Sequence, residues 1–448
     1  MRKYEKMTTE PVGRLVTEMA VPAIVSMLVT SFYNLADTFF IGRINTQSTA
    51  AIGIVFSYMA VIQAVSFFFG HGSGNFISRA LGHRDADSAE TMASVGFFSL
   101  LIISSSIALL SFAFMRPLLR LFGSTETIMP YAVSYFQYIL IGTPFITSCF
   151  LFNNQMRFQG NAVMSMIGIA SGAVLNIALD PILIFGCDMG IAGAGLATAV
   201  SQMFSFAVML YLSGKRGGIR VKVGKFKPTL KLYGEIASGG LPSLLRQGFM
   251  CLSAICLNNV ASRYGDAMVA AFSVVNRVMM FAYAAMVGYG QGFQPVCGFN
   301  YGAGLYRRVK KAFVHSVVVA TSYSVVVAFF GLFFAEPIVT SFRADDAEVI
   351  EYGSRVLRYQ CFLFPLAGYV VITNMYLQNI RKTWSAAALS GARQGIFLIP
   401  MIFIGDYFWG MYGVMIAQPI ADLASFVLAL PLGIMAIRQM MKLDKVAR

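Results

Sequence analysis

The sequence predicts an all-α integral membrane protein, with twelve transmembrane helices in two pseudo-symmetric six-helix lobes. Three observations predict it. The 448-residue chain is 57% hydrophobic and only 12% charged, against about 25% charged in an average soluble domain. Apolar runs of the roughly 20 residues needed to cross a bilayer recur from end to end. The second half also echoes the first: Gly70, Gly72 and Gly74 match Gly288, Gly290 and Gly292 at a constant offset of 218. Runs of this length satisfy their own backbone in lipid as helices, whereas a barrel would show short alternating strands.

Residues 1–14 are polar, and the first apolar segment is too long and too polar for an h-region. No cleavable signal peptide is therefore expected. Apolar runs between charge and turn clusters place spans at about 15–41, 49–78, 90–115, 130–156, 162–185 and 190–213. A second set follows at about 232–262, 267–297, 309–334, 350–379, 384–404 and 409–437. Glycines cut the second and eighth spans. Residues 214–231, GKRGGIRVKVGKFKPTLK, are basic and Gly-bearing. They read as a cytoplasmic linker between an N-lobe, 1–213, and a C-lobe, 232–448, lying near anionic headgroups.

The formal charge of +14 would suggest nucleic acid in a soluble protein. Here the basic residues sit in short loops and act as topology signals. With the N-terminus inside, twenty-four Lys and Arg fall in inside segments. Five fall outside: Arg43, Arg116, Arg120, Arg263 and Arg343. That bias places both termini in the cytoplasm. The acidic residues Asp345, Asp346, Glu348 and Glu351 fall outside. The six cysteines form no CxxC and no metal spacing, so they read as small buried hydrophobes. No nucleophile–base pair or metal constellation appears, so an enzyme is not expected.

Inside this apolar background, acids stand out. A carboxylate at the centre of a membrane helix costs about 2.5–3.5 kcal/mol on insertion scales, so it is a functional-site hypothesis by default. Asp37 lies in PAIVSMLVTSFYNLADTFFIG. Thr30, Tyr33 and Asn34 recur at spacings of three and four with it and share one helical face. The bland alternative is a wet acid at a helix end. Asp180 lies in SGAVLNIALDPILIFG, with Asn176 one turn earlier and Pro181 directly after. Pro181 lacks an amide and frees the Ile177 carbonyl. The sixth span, GIAGAGLATAVSQ, adds Thr198 and, one turn on, Gln202. Carboxylates, an amide and a hydroxyl are hard oxygen ligands suited to a small cation such as Na⁺. The same set suits a proton, since burial and a like-charged neighbour favour the neutral acid. A merely structural polar cluster is the competing reading.

The second half has no equivalent mid-span acid. Its polar candidates are Arg246, Gln247, Asn276, Arg277 and Arg393, with Asp422 read as the partner of a basic residue. His71, among the glycines, reads as structural. The 26 methionines and 39 phenylalanines suit an adaptable cavity, although most face lipid or core.

NLADTFFIG, MRFQGNA at 156–162, LNIALDPILIFG and GIAGAGLATAVSQ resemble the multidrug and toxic compound extrusion (MATE) family. The likeness covers essentially the whole chain. It implies export of organic, often cationic, amphipathic compounds by antiport against Na⁺ or H⁺. It implies a cation site at Asp37, Asn176, Asp180 and Thr198, which match the family's N-lobe set. Tyr33, Tyr135 and Asn153 match cavity-lining positions. The family's other branch carries acids in the seventh and tenth helices. Arg246–Met250 and Ile372–Asn374 hold none, so no C-lobe cation site is expected.

The expectation is thus a monomeric multi-pass exporter in a prokaryotic plasma membrane. Its partners are small organic molecules and the bilayer, not nucleic acid. It needs no cofactor beyond the coupling ion. The alternative is a flippase for lipid-linked oligosaccharides or lipids, from the related superfamily.

Overall fold

The computed structural model describes residues 2–214, 218–342 and 346–446, without the side chains of residues 2, 3 and 446. Lys215 and Arg216 of the linker, Arg343 and Asp345 of the outside loop, and Arg448 lie outside the described residues. Among the described residues there are helices and turns and no strand. Twelve helices are long and apolar enough to cross a membrane, from Val12–Gly42 to Met411–Lys445. The protein is a multi-pass membrane protein. Most span limits fall within five residues of the sequence reading. The twelfth is longer, because the helix continues through the polar segment to Lys445.

The glycines that cut the second and eighth spans do not break them. Thr46–Gly82 and Asp266–Gly302 are each one continuous 37-residue helix. Here glycine serves packing. A Cβ at Gly72 would lie 2.2 Å from the Ile236 carbonyl oxygen, and one at Gly292 would lie 2.3 Å from Ala20 Cα. Small residues let helix backbones approach this closely, which is how membrane helices gain contact without a hydrophobic drive.

Contacts divide the chain into two compact units. One is Val25–Gly240, here the N-unit. The other joins Met1–Ile24 to Leu241–Arg448, here the C-unit. These limits differ from the lobes drawn along the sequence, because the first and seventh spans each change unit partway along. Each change falls within three residues of an in-helix proline, Pro22 or Pro242. Proline removes one helical hydrogen bond and crowds the preceding turn, so a helix bends there at least cost.

In the N-unit, Tyr58 and Phe136 meet edge to face at 4.9 Å. Phe97, Phe152 and Phe206 form a second aromatic cluster. Arg79 and Glu235 form a buried ion pair at 3.0 Å. The described part of the linker is strapped along the third span, Ala86–Ala113. The Ile219 N–H donates to Gln159 Oε1 at 3.0 Å, and Lys222 Nζ donates to Glu90 Oε2 at 2.9 Å. Lys225 pairs with Asp87, and Phe226 packs on Phe98 at 5.4 Å.

In the C-unit, the short helix Arg2–Thr9 is held at its C-terminal end. Arg308 Nη2 donates to the Glu10 carbonyl at 2.6 Å, and Asn300 Nδ2 donates to the Met7 carbonyl at 3.0 Å. A guanidinium is favoured there because the last carbonyls of a helix lack partners and carry partial negative charge. The core gathers Phe272, Met286, Phe364 and Leu398.

Gly72→Val is expected to lower the melting temperature of the purified protein, since overpacking costs about 1–3 kcal/mol. Gly53→Val, at an exposed glycine with no neighbour within 4 Å, is expected to change it little. Equal melting temperatures for the two variants would refute a close contact at Gly72.

Candidate cation site

The acid set is built by the N-unit alone. Asp37 rides on the first span, Asn176 and Asp180 on the fifth, and Thr198 and Gln202 on the sixth. The fifth span runs as an α-helix over Ala162–Pro181 and then widens into a π turn, Ile182–Gly186. Pro181 cannot donate, so the regular ladder lapses there, and Cys187 N–H reaches back five residues to the Ile182 carbonyl at 2.8 Å. The sixth span fits against this turn through glycine. A Cβ at Gly193 would lie 2.6 Å from the Leu183 carbonyl oxygen. One at Gly195 would lie 2.9 Å from the Tyr135 carbonyl oxygen, so this glycine seats the fourth span. Ser205 Oγ donates to the Gly168 carbonyl at 2.8 Å and closes the other end of the pair.

Asp180 is fully buried and Asp37 is 8% exposed. The two carboxylates are near enough for their charges to interact. Among the described residues neither has an ion-pair partner. Asn176 lies between Asp180 and the sixth span. With its amide oriented to satisfy both atoms, Nδ2 donates to Asp180 Oδ2 at 3.2 Å and Oδ1 accepts from Thr198 N–H at 3.3 Å. Tyr33 lies within electrostatic range of both acids and close to Thr198 and Gln202. Tyr135 shares the acids and Thr198 with it.

Two oxygens in this set, Asp37 Oδ1 and Thr198 Oγ1, are buried and make no hydrogen bond. An unsatisfied buried polar atom costs about 1–3 kcal/mol. A cation or a proton held between the acids would satisfy them, and oxygen donors of this kind fit either.

The remaining candidates separate. Thr30 is half-buried and bonds its own helix, through the Ser26 carbonyl at 2.8 Å. Asn34 is exposed. Gln202 is half-buried. Asn153 is committed elsewhere: Nδ2 donates to Ser165 Oγ at 2.6 Å, and Ser165 Oγ donates to the Asn153 carbonyl at 3.0 Å, clamping the fourth span to the fifth. His71 is buried and stacked on Phe67 at 5.4 Å, with its Nε2 3.4 Å from Arg157 Nη2.

The C-unit repeats the scaffold without the acids. ASGAVLNIALDPILIFG in the fifth span aligns with LSGARQGIFLIPMIFIG in the eleventh at an offset of 219. Gly395 and Ile399 thereby take the places of Asn176 and Asp180. A Cβ at Gly395 would lie 2.3 Å from the Phe249 ring. That ring from the seventh span fills the room an amide occupies in the N-unit. The sixth and twelfth spans align at an offset of 220, which matches Thr198 with Gln418 and Gln202 with Asp422. Asp422 meets Arg393, with Nε 2.7 Å from Oδ1. The alignment was present in the sequence, but the glycine repeat at offset 218 does not extend to these spans without small shifts in register.

The MatE family model matches residues 22–182 and 242–404, once in each half, beginning at Pro22 and Pro242. The chain belongs to the MatE family. It is 26% identical to the multidrug export protein MepA of Staphylococcus haemolyticus, over 95% of this chain and 94% of that one. Among solved structures, a MATE protein crystallised with MaL6 superimposes with a TM-score of 0.93 at 24% identity, covering 99% of this chain and 100% of that one. An outward-facing multidrug resistance MATE transporter of the MOP superfamily superimposes with a TM-score of 0.91 at 25% identity, covering 98% of each.

Thr198 Oγ1 makes no hydrogen bond at full geometry, although the Tyr33 and Tyr135 hydroxyls lie near it, so Thr198→Val is expected to cost less thermal stability than breaking a well-formed buried pair. Asn153→Ala breaks the Ser165 clamp and is expected to cost about 1–3 kcal/mol. Thermal unfolding of the two variants checks the contrast, and the reverse order would contradict the assigned hydrogen bonds.

Proposed function

We propose that this chain is a secondary multidrug exporter. It moves small organic compounds, cationic ones above all, outward across a prokaryotic plasma membrane by antiport against Na⁺ or H⁺. It works as a monomer with both termini in the cytoplasm. The observation that carries this reading is the pair of buried carboxylates, Asp37 and Asp180, with no ion-pair partner among the described residues. The MepA relatives are multidrug export proteins by name, and their likeness to this chain is nearly end to end.

The physics of the pair suggests the cycle. Two adjacent negative charges in a low-dielectric core are unfavourable until a cation or proton joins them. Loading the site therefore changes the energy of the surrounding helices. Asn176 passes that change from Asp180 to the backbone of the sixth span, and Tyr33 lies within electrostatic range of both acids and near Gln202. An ion drives a conformational change only by binding one state more tightly than the other. Inward release of the ion then resets the protein for the next outward step. An organic cation competes for the same negative charge, which supports cations as cargo and opposes simultaneous occupancy.

Expressed at equal levels in dye-loaded cells lacking other pumps, Asp37→Asn and Asp180→Asn are each expected to slow extrusion at least tenfold. Extrusion by either variant at the unmutated rate would sink the assignment. Vesicles with separately imposed Na⁺ and H⁺ gradients identify the ion, which is expected to drive transport from one gradient alone. Flipping of a fluorescent lipid in the same vesicles, with no gradient-dependent dye flux, would establish the flippase instead.

A further inference from the structure

The C-unit holds a buried polar cluster that the cation cycle does not use. Asp422, 4% exposed, accepts from Arg393 Nε at 2.7 Å and from Gln418 Nε2 at 2.9 Å. The Arg393 guanidinium also contacts the Tyr283 hydroxyl, and its carbon lies 4.3 Å over the Tyr283 ring. Next to Arg393, Gln394 Oε1 accepts from Ser253 Oγ at 3.2 Å. A carboxylate and a phenol oxygen that accept from a guanidinium, with an aromatic face beneath it, are the groups a protein uses to bind an organic cation.

The placement gives this cluster its meaning. Gln418 and Asp422 stand where Thr198 and Gln202 stand in the N-unit, at the same offset of 220. Ser253 takes the place of Tyr33, again at 220. The cluster thus draws on the seventh, eleventh and twelfth spans, the counterparts of the first, fifth and sixth that build the N-unit site, and adds Tyr283 from the eighth. Its backbone differs where it must. A π turn, Ala392–Ile396, carries Arg393. In the N-unit the π turn comes after the proline rather than before it. The extra residue of a π turn rotates what precedes it, and such turns gather at functional sites.

We infer that the C-unit carries a guanidinium-type cation site whose ligand is part of the chain: Arg393 is a tethered cation on Asp422. The N-unit binds a mobile ion at its acids, whereas the C-unit has its ion built in. Arg393 thus limits the protein to one exchangeable cation and excludes organic cations from Asp422. Removing the side chain should open a second site for a free cation of the same chemistry. The inference shares with the proposed function only the view that the N-unit acids bind a cation, and the test silences those acids.

The probe is ethylguanidinium, the part of the arginine side chain that Arg393→Ala removes. The variant is made in an Asp37→Asn/Asp180→Asn background. It is expected to melt below its parent, because Asp422 loses its counter-ion. Ethylguanidinium is expected to restore the melting temperature in a saturable way, while neutral ethylurea does not. Radiolabelled ethylguanidinium is expected to bind with a stoichiometry near one to this variant. It should not bind to the parent, nor to the variant carrying Asp422→Ala as well. Arg393→Lys, which keeps a tethered cation, is expected to fold without the probe and to refuse it. If Arg393→Ala folds only when purified in ethylguanidinium, loss of the probe on dialysis should unfold it. Binding of ethylguanidinium equal to that of ethylurea, or unchanged when Asp422 is removed, would overturn the inference. So would probe binding to the Arg393→Lys variant. Loss of dye transport in Asp37→Asn alone would leave this result untouched, so the two readings fail separately.

Discussion

A pair of buried carboxylates, Asp37 and Asp180, with no basic partner among the described residues, is the constraint on which the N-unit is organised. Charge of one sign in a low-dielectric core is tolerated only where the surrounding groups are fixed. The fixing is done by backbone fit. Gly193 seats the sixth span on the turn after Pro181, Gly195 seats it on Tyr135, and Ser205 bonds across to Gly168. Asn176 then joins the acid of one helix to the backbone of the next. The small residues of GIAGAGLATAVSQ are therefore as much a part of the candidate site as the acids, because a Cβ at either glycine would displace a helix that carries one of its side chains.

Much of the fold was legible because the membrane makes few demands and makes them strictly. Length and hydropathy alone mark twelve helices. The limits blur where polar ends extend a helix beyond lipid, as from residue 437 to Lys445. The glycines at 70–74 and 288–292 look like breaks by propensity, since glycine weakens a helix by about 1 kcal/mol relative to alanine. Packing overrides that cost, because Gly72, Gly288 and Gly292 admit a neighbour's backbone, Gly74 admits the Phe158 ring, and Gly70 and Gly290 admit the side chains of Asn154 and Met375.

The acids of the site were legible for the opposite reason. Asp37 and Asp180 are too costly in an apolar helix to be incidental. Spacing could not sort their neighbours. Thr30, Tyr33 and Asn34 share a helical face with Asp37, yet only Tyr33 and Asp37 are buried together, because a stripe that wide meets more than one surface. Asn153 reads as a cavity residue by position, but its amide is spent on Ser165. Hydrogen-bond partners lie across a helix interface, and no periodicity reports them. The linker shows the same limit. Its lysines suggest headgroups, whereas Lys222 and Lys225 are matched with acids of the third span.

The two halves show what a repeat conserves when its chemistry diverges. The helix that holds Asn176 and Asp180 in one half holds Gly395 and Ile399 in the other. Phe249 occupies the vacated space, and a ring there leaves no room for a ligand shell. Yet polar character persists on the next helix of each half, since Gln202 and Asp422 occupy matching positions on the sixth and twelfth spans. An acid at that point is stable only with a cation, and Arg393 supplies one. On the proposed reading, a duplicated scaffold holds a mobile ion in one half and a tethered cation in the other, with the charge balance of its helices kept in both. Replacing a diffusible ion with a tethered one changes what the site exchanges and leaves the packing around it intact.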